Sequence, residues 1–273
     1  MPDNVKVFSS DVLQCFSFPE LNTDVYGYAF VSGEMTSVPL ASASVADRGR
    51  INLICAHADM TSPLSHSAPL SKDVLASFGA DYAALGHIHN ADNYRGEAGS
   101  CSYAYCGCLV GRSFDECGDK GALVVTVDKD SDSAKAAVRT MKFSRRRYED
   151  ISVDVTGAAT SREVTDKIED AISGADDETA VRVRIYGVTD SALVISPSVI
   201  AEAFPGVFSF TLKDETVPLG GADYLEDDLS VRGEFYRMIK PKLESADARE
   251  REVALRALRY VTAAIGGENI SDI

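Results

Sequence analysis

The sequence lacks the features of a membrane or secreted protein. Its longest apolar runs are far too short to span a bilayer. Residues 1–6 have neither the basic start nor the apolar stretch of a signal peptide. With 273 residues the chain can bury a core, and we expect one large domain and a smaller one. The composition therefore predicts a cytoplasmic protein without membrane contact.

Positive charge is also scarce. The chain has 27 Lys and Arg residues against 42 Asp and Glu residues, which gives a net charge of −15. Because Lys and Arg side chains bind the phosphate backbone of nucleic acids, this charge argues against a protein that coats DNA without sequence preference. It does not exclude a nuclease, because metal ions can supply the positive charge at a site.

Cysteines with the Cys-x-x-Cys spacing are absent. Two of the six cysteines, Cys15 and Cys55, lie in apolar stretches and are predicted to be buried thiols. The other four lie closer together in sequence: Cys101, Cys106, Cys108 and Cys117. A zinc site in that group is conceivable, but reduced structural thiols are the favoured interpretation.

Histidine is rare, and three of the four histidines follow strand-like apolar runs. His57 follows the run 51–56, and segment 81–90 reads Asp-Tyr-Ala-Ala-Leu-Gly-His-Ile-His-Asn. Side chains alternate along an extended chain, so His87 and His89 are predicted to project to one side. Two imidazoles at a strand end can ligate a metal ion. An ordinary hydrogen-bonded side chain is the alternative for each, and it is the favoured one for His66.

The apolar pattern predicts an α+β protein. Five strands are predicted in the first part of the chain, at 5–8, 25–30, 51–56, 82–85 and 123–127. One helix lies between them, with Ser71 as its N-cap and Gly79 at its end. This order places the histidines at the carboxyl ends of strands, where ligand sites of α/β sheets occur.

A second unit is predicted from about Tyr148. Alternating apolar residues and capping signals indicate a β-α-β-α-β unit that ends near Leu212. Two helices are predicted beyond it, at 230–239 and 246–265, and Pro241 is expected to kink or end the first. The apolar face of the second helix is interpreted mainly as packing, with a docking face for a partner as the alternative.

With these elements placed, the chain resembles the calcineurin-like metallophosphoesterases, and more narrowly the SbcD-type and YhaO-like DNA repair exonucleases. The resemblance rests on His57, on 81–89 and on the glycine-rich stretch 105–121. The β-α-β unit resembles the DNA-capping domain of that family, and 227–235 resembles a segment of the YhaO-like tail.

The resemblance implies three regions. Residues 1–145 would form the C-terminal half of a metallophosphoesterase β-sandwich flanked by helices. Residues 146–216 would form a small α/β capping domain, and 217–273 a helical tail. The family also has Asp-x-His, a bridging Asp and Asn-His in its N-terminal part. None of these motifs is identified here, and the Asp-x-His and Asn-His motifs are excluded because no histidine precedes His57. The chain thus resembles the second half of the catalytic domain with its cap and tail.

The family binds two divalent metal ions, with manganese expected. By resemblance, His57 and His87 would bind one metal ion and His89 the other. Candidates for holding the second ring nitrogens are Asp59, Asp92 and backbone carbonyls, and Arg112 is a candidate for lying beside the substrate. Asn90 is a further candidate, although a plain turn residue is the favoured interpretation for it.

Three neutral histidines without a bridging carboxylate leave the repulsion between two cations uncompensated. We therefore expect this chain alone to bind at most one metal ion, weakly. It is also expected to contain no complete catalytic set and to lack useful nuclease activity.

The sequence has one strong basic run, formed by Arg145, Arg146 and Arg147. These residues are candidates for contact with the DNA backbone. A solvated linker paired with Glu149 and Asp150 is an equal alternative.

Three functions stay open at this point. The first is a metal-dependent DNA exonuclease. The second is a non-catalytic interaction module whose C-terminal helices bind a coiled-coil ATPase. The third is a phosphoesterase of another substrate class. A half domain would also expose a sheet edge, so we expect a homodimer or rearranged N-terminal strands.

Overall fold

The structure is a computed structural model that describes residues 2–90, 94–130, 133–190, 192–219 and 228–266. The chain folds into two compact units. The first comprises Met1–Arg112 with Gly118–Arg145, and the second comprises Ser113–Cys117 with Arg146–Ile273. Strands and helices occur in both, which confirms the predicted α+β class. The sandwich, the capping domain and the division into three regions stay predictions.

A mixed six-stranded sheet forms the first unit. Its strands are β1 (Gln14–Phe18), β2 (Thr23–Gly27), β3 (Ile51–His57), β4 (Tyr82–Gly86), β5 (Arg95–Ala98) and β6 (Cys101–Tyr105). Their order is β1-β2-β3-β4-β6-β5. The four central strands are parallel, and each edge strand is antiparallel to its neighbour. Strands β7 (Gly121–Asp130) and β8 (Ser133–Lys142) form a separate antiparallel pair.

The predicted strands at 51–56, 82–85 and 123–127 are confirmed, and the strand predicted at 25–30 lies earlier, at Thr23–Gly27. The strand predicted at 5–8 is wrong. Val5 and Val7 are exposed and pair with no described strand. The Phe8 ring instead packs on Phe16 with 4.9 Å between the ring centroids. Apolar content alone does not make a strand where no neighbour supplies hydrogen bonds.

Helix α1 (Lys72–Phe78) follows its sequence signals. The Ser71 side chain accepts a hydrogen bond from the Val74 amide, and Gly79 ends the helix with φ of 83°. Leu75 and Phe78 are fully buried against one face of the sheet, as the helical spacing predicts.

The prediction that Cys15 and Cys55 are buried is wrong, because both are exposed. Cys15 lies on edge strand β1. On β3, Ile54 and Ala56 face the core, so the alternation of a strand turns Cys55 to the other face of the sheet. Cys101 is the buried thiol, and none of the six cysteines forms a disulfide.

A buried ion pair joins the amino ends of β3 and β4 to the carboxyl end of β7. Lys129 Nζ on β7 donates to both carboxylate oxygens of Asp81, at 3.0 and 2.9 Å, and to the Arg50 carbonyl at 2.8 Å. The Asn52 amide of β3 donates to the same carboxylate at 2.7 Å. Only 7% of the Lys129 side chain and 10% of that of Asp81 are exposed. The network therefore ties β3, β4 and β7 together.

In the second unit, three parallel strands form a sheet in the order β11-β10-β9. They are β9 (Arg147–Asp154), β10 (Thr179–Asp190) and β11 (Ser209–Leu219). Helices α2 (Ser161–Ala171) and α3 (Pro197–Glu202) connect them, so the predicted β-α-β-α-β order is confirmed. The Thr160 side chain caps α2 by accepting from the Glu163 amide. Valines of β10 pack against Val164 and Ile168.

Two further helices follow, α4 (Val231–Leu243) and α5 (Ala248–Gly266). Pro241 lies inside α4, so of the two expected effects the end of the helix is wrong, and the kink stays a prediction. Ala254 and Leu258 of α5 are buried with Val217 of β11, which supports packing for this part of the apolar face. Asp227, of the tail segment, lies outside the described residues. None of the described helices combines the length and the hydrophobicity that a membrane span requires.

The buried ion pair between Lys129 and Asp81 leads to a prediction about stability. A Lys129→Met substitution leaves the Asp81 carboxylate buried without its cation, so we expect the free energy of unfolding to fall by about 3 kcal/mol. The measurement is urea unfolding followed by circular dichroism. Lys135→Met removes an exposed lysine of β8 and is the matched control, with an expected change within about 0.5 kcal/mol. Equal losses in the two variants would contradict the structural role of the pair.

Candidate metal centre

Two neighbouring parallel strands bring His57 and His87 together. His57 is the last residue of β3 and is in register with Gly86, the last residue of β4. His87 follows directly. The distance from His57 Nε2 to His87 Nδ1 is 3.1 Å, and the two rings meet nearly edge to face at 76°. The predicted placement at strand carboxyl ends is therefore what creates this contact.

The distance between these two nitrogens suits a shared cation. Two imidazole nitrogens, each about 2.1 Å from one metal ion, lie roughly 3.0 Å apart at a right angle and about 3.4 Å apart at a tetrahedral angle. The observed 3.1 Å lies between these limits. The same distance is that of a hydrogen bond between the two rings, so the two nitrogens can bind one ion only where that ion replaces the hydrogen bond.

Aromatic residues that no sequence motif marks hold His57 in place. The Phe30 ring lies edge to face against the imidazole at 5.2 Å, and the Tyr28 hydroxyl donates to the His57 carbonyl at 3.0 Å. Burial, followed by the nearby His87 and His89, lowers the pKa of His57. These contacts favour the neutral imidazole, which is the form that binds metal ions.

Asp59 lies beside Nε2 of His87, the ring nitrogen that does not face His57. Its Oδ2 is 3.5 Å from His87 Nε2, and its Oδ1 accepts from the Thr61 amide at 2.7 Å and the Thr61 hydroxyl at 2.6 Å. Burial opposes ionisation of this carboxyl, but hydrogen bonds from Thr61 and Ser65 and the charge of His87 lower its pKa to about 2. An ionised carboxylate beside Nε2 leaves Nδ1 turned toward His57, which is how outer carboxylates orient metal-binding histidines.

Tyr105 fixes the loop that carries Asp59. Its hydroxyl donates to the Ala58 carbonyl at 2.7 Å and accepts from the Met60 amide at 3.0 Å. The side chain is almost completely buried. The roles of Tyr105 and Tyr28 could not be predicted from the sequence, because their contacts depend on the packing of distant segments.

His89 has a different environment from the histidine pair. Its Nδ1 lies 3.2 Å from a guanidinium nitrogen of Arg112, and Cys108 Sγ donates to its carbonyl at 3.7 Å. Asn90 is exposed and borders a small cleft beside His89. Asp92 lies outside the described residues. Of the predicted residues, the structure thus joins His57, His87 and Asp59 in one group and His89 with Arg112 in another.

The remaining candidates have other partners. Arg147 pairs with Glu149 at 2.8 Å, as the linker interpretation predicts, while Asp150 pairs with Arg182 and Arg184 instead. The Arg146 guanidinium lies 3.8 Å from the centre of the Phe208 ring. Arg145 ends the first unit. The contact of these arginines with DNA stays a prediction.

These residues do not fit a complete two-metal centre. Among the residues that the structure describes, no group of three or more His, Cys, Asp or Glu side chains could hold a metal ion. This applies to the cysteine group as well as to the histidines. The His57 and His87 pair fits part of the coordination sphere of one ion, and none of the described carboxylates is placed to bridge two.

The chain is similar in sequence to a protein of known name. The chain is 26% identical over 214 residues to a protein of Bacillus subtilis (strain 168) named uncharacterized metallophosphoesterase YhaO. The match covers 74% of this chain and 50% of that protein, so the chain spans about half the length of the relative. No protein-family profile matches the chain. The similarity supports a relationship to the metallophosphoesterases.

The backbone at His87 leads to a second prediction. His87 has φ of 113°, a conformation that favours glycine. We expect the His87→Gly variant to be more stable than His87→Ala by about 1 kcal/mol, because both lose the imidazole but only glycine removes the strain. His89 has no positive φ, so there we expect the alanine variant to be the more stable one. Urea unfolding of the four variants tests this, and the same order at both positions would contradict it.

Proposed function

We propose that this chain takes part in metal-dependent hydrolysis of phosphodiester bonds in DNA and supplies the histidine side of a two-metal centre. The observation that carries the proposal is the 3.1 Å contact between His57 Nε2 and His87 Nδ1 at the carboxyl ends of β3 and β4. None of the carboxylates in the described part of the chain is placed to bridge two ions at this pair.

Each residue of the site has a role in this proposal. His57 and His87 bind one cation through the facing nitrogens, and Asp59 keeps His87 in the required orientation. Arg112, which lies beside His89, supplies a positive charge that can pair with a phosphate. In a complete centre of this class, two metal ions stabilise the attacking and leaving oxygens.

The choice of DNA as substrate is supported by the sheet of the second unit. Helices α2 and α3 pack on one of its faces, and the other, which α5 covers in part, carries basic, acidic and aromatic side chains. The Arg182 guanidinium lies 4.5 Å from the centre of the Phe114 ring, which meets Tyr148 edge to face at 5.1 Å. Lys213 is exposed on the same face. Cations interleaved with rings are typical of surfaces that bind nucleic acid.

Several expectations stay predictions. They are the absence of useful nuclease activity in this chain alone, the preference for manganese, the coiled-coil ATPase partner and the homodimer. A phosphoesterase of another substrate class remains the alternative if DNA is not bound.

Metal binding tests the histidine site. We expect the purified chain to bind one Mn²⁺ weakly in an electron paramagnetic resonance titration, and His57→Ala to weaken this binding at least about tenfold, because half of the ligand pair is lost. His66→Ala is the matched control, since His66 is exposed and pairs with Glu34 at 3.0 Å. The histidine site would be refuted by equal affinities of the two variants, or by a wild-type chain that binds no Mn²⁺.

DNA binding tests the substrate. We expect a labelled duplex to bind with an affinity that falls as salt rises, and Lys213→Gln to reduce the slope of log affinity against log salt by about one. Fluorescence anisotropy provides the measurement. Arg162→Gln removes a cation that is 88% exposed on α2, at the other face of the sheet, and should leave the slope unchanged. Salt-independent binding, or the same effect of both substitutions, would exclude this face as the DNA surface.

A further inference from the structure

The second unit contains a cavity that has no part in the histidine site. It measures about 560 Å³ and lies between the sheet face that α2 and α3 leave uncovered and helix α5. Cavities that bind small organic ligands typically have volumes of about 300–1,000 Å³. The cavity is therefore large enough for a small organic molecule.

Four arginines line this cavity. Arg184 projects from β10, and Arg251, Arg256 and Arg259 come from α5. At about 100° per residue, Arg251 and Arg256 lie about 140° apart around the α5 axis, and Arg259 lies between them. The lining also contains the carboxylates of Asp154, Glu215 and Glu252, so the four guanidinium groups exceed the carboxylates by a single charge.

The arginines have hydrogen-bond donors to spare. Arg184 Nε donates to Asp150 at 3.1 Å, Arg256 donates to Glu252 at 2.7 Å, and Arg259 lies 3.8 Å from Glu215. A guanidinium has five N–H donors in a planar fork, so each of these contacts leaves further donors for a ligand. Planar pairs of donors match the oxygens of a phosphate.

The rest of the lining indicates what the phosphate is attached to. Val188, Val217, Leu243 and Leu255 make an apolar wall. Burial, followed by the nearby Asp154, raises the pKa of Tyr186, so its phenol is a neutral donor at physiological pH. Asp154, Glu215 and Glu252 add carboxylates that can accept from hydroxyl or amino groups. The lining therefore suits a molecule with a phosphate, a flat apolar ring and sugar hydroxyls.

We propose that this cavity is a binding site for a nucleoside monophosphate. The arginines of β10 and α5 bind the phosphate, the aliphatic wall packs against the base, and the carboxylates accept from the sugar hydroxyls. The site lies wholly within the second unit, so it does not depend on metal binding by His57 and His87.

Isothermal titration of the full chain tests this proposal, with AMP, adenosine and inorganic phosphate as probes. We expect saturable binding of AMP at least about tenfold tighter than that of adenosine or phosphate, because only AMP engages both the arginines and the apolar wall. The double variant Arg184→Gln/Arg256→Gln should weaken AMP binding by about tenfold or more. Arg256 is 71% exposed and Asp150 keeps Arg182 as a partner, so the fold should persist.

Two further variants make the test decisive. Arg249→Gln removes an exposed arginine of α5 that does not line this cavity and should change AMP affinity less than about twofold. Tyr186→Phe keeps the ring and removes only the hydroxyl, and should weaken AMP binding by roughly threefold or more. The proposal is overturned if AMP does not bind, if phosphate binds as tightly as AMP, or if Arg249→Gln weakens binding as much as the double variant.

Discussion

The parallel register of β3 and β4 is the constraint on which the histidine site depends. It places His57 opposite Gly86, so that His87, one residue later, meets the His57 ring. A slip of one residue would turn His57 to the core face, where Ile54 and Ala56 lie now. Asp81 and Lys129 secure this register at the amino ends, because the Asp81 carboxylate binds the Asn52 amide and the lysine at once.

The parts of the fold that local signals specify were predictable from the sequence. The caps at Ser71 and Thr160 and the apolar runs of β3 and β4 act over a few residues and are predicted correctly. Strands β1, β5, β6 and β8 are not among the predicted strands. Of these, Arg95–Ala98 and Ser133–Lys142 are rich in alanine and charge and are strands through pairing with a neighbour. The same dependence on a partner explains why 5–8 is not a strand.

The histidine site and the arginine-lined cavity were likewise predictable only in part. The approach of His57 to His87 followed from strand ends, and Asp59 was among the candidates for orienting a ring. The pairing of His89 with Arg112 rather than with the other histidines needed the course of the chain between 90 and 112. The arginines of α5 meet Arg184 only because α5 packs beside β10 and β11, and helical periodicity carries no information about that partner.

The charges around His57 and His87 determine how many divalent cations these residues can bind. The His57 environment favours the neutral ring, and Asp59, with a pKa of about 2, is ionised but faces the outer nitrogen of His87 rather than the space between the rings. The pair therefore offers lone pairs without negative charge. One divalent cation can bind to such a pair with water completing its shell, but a second ion nearby would be repelled. Stable binding of two ions thus requires anionic ligands that the histidine pair and Asp59 do not provide.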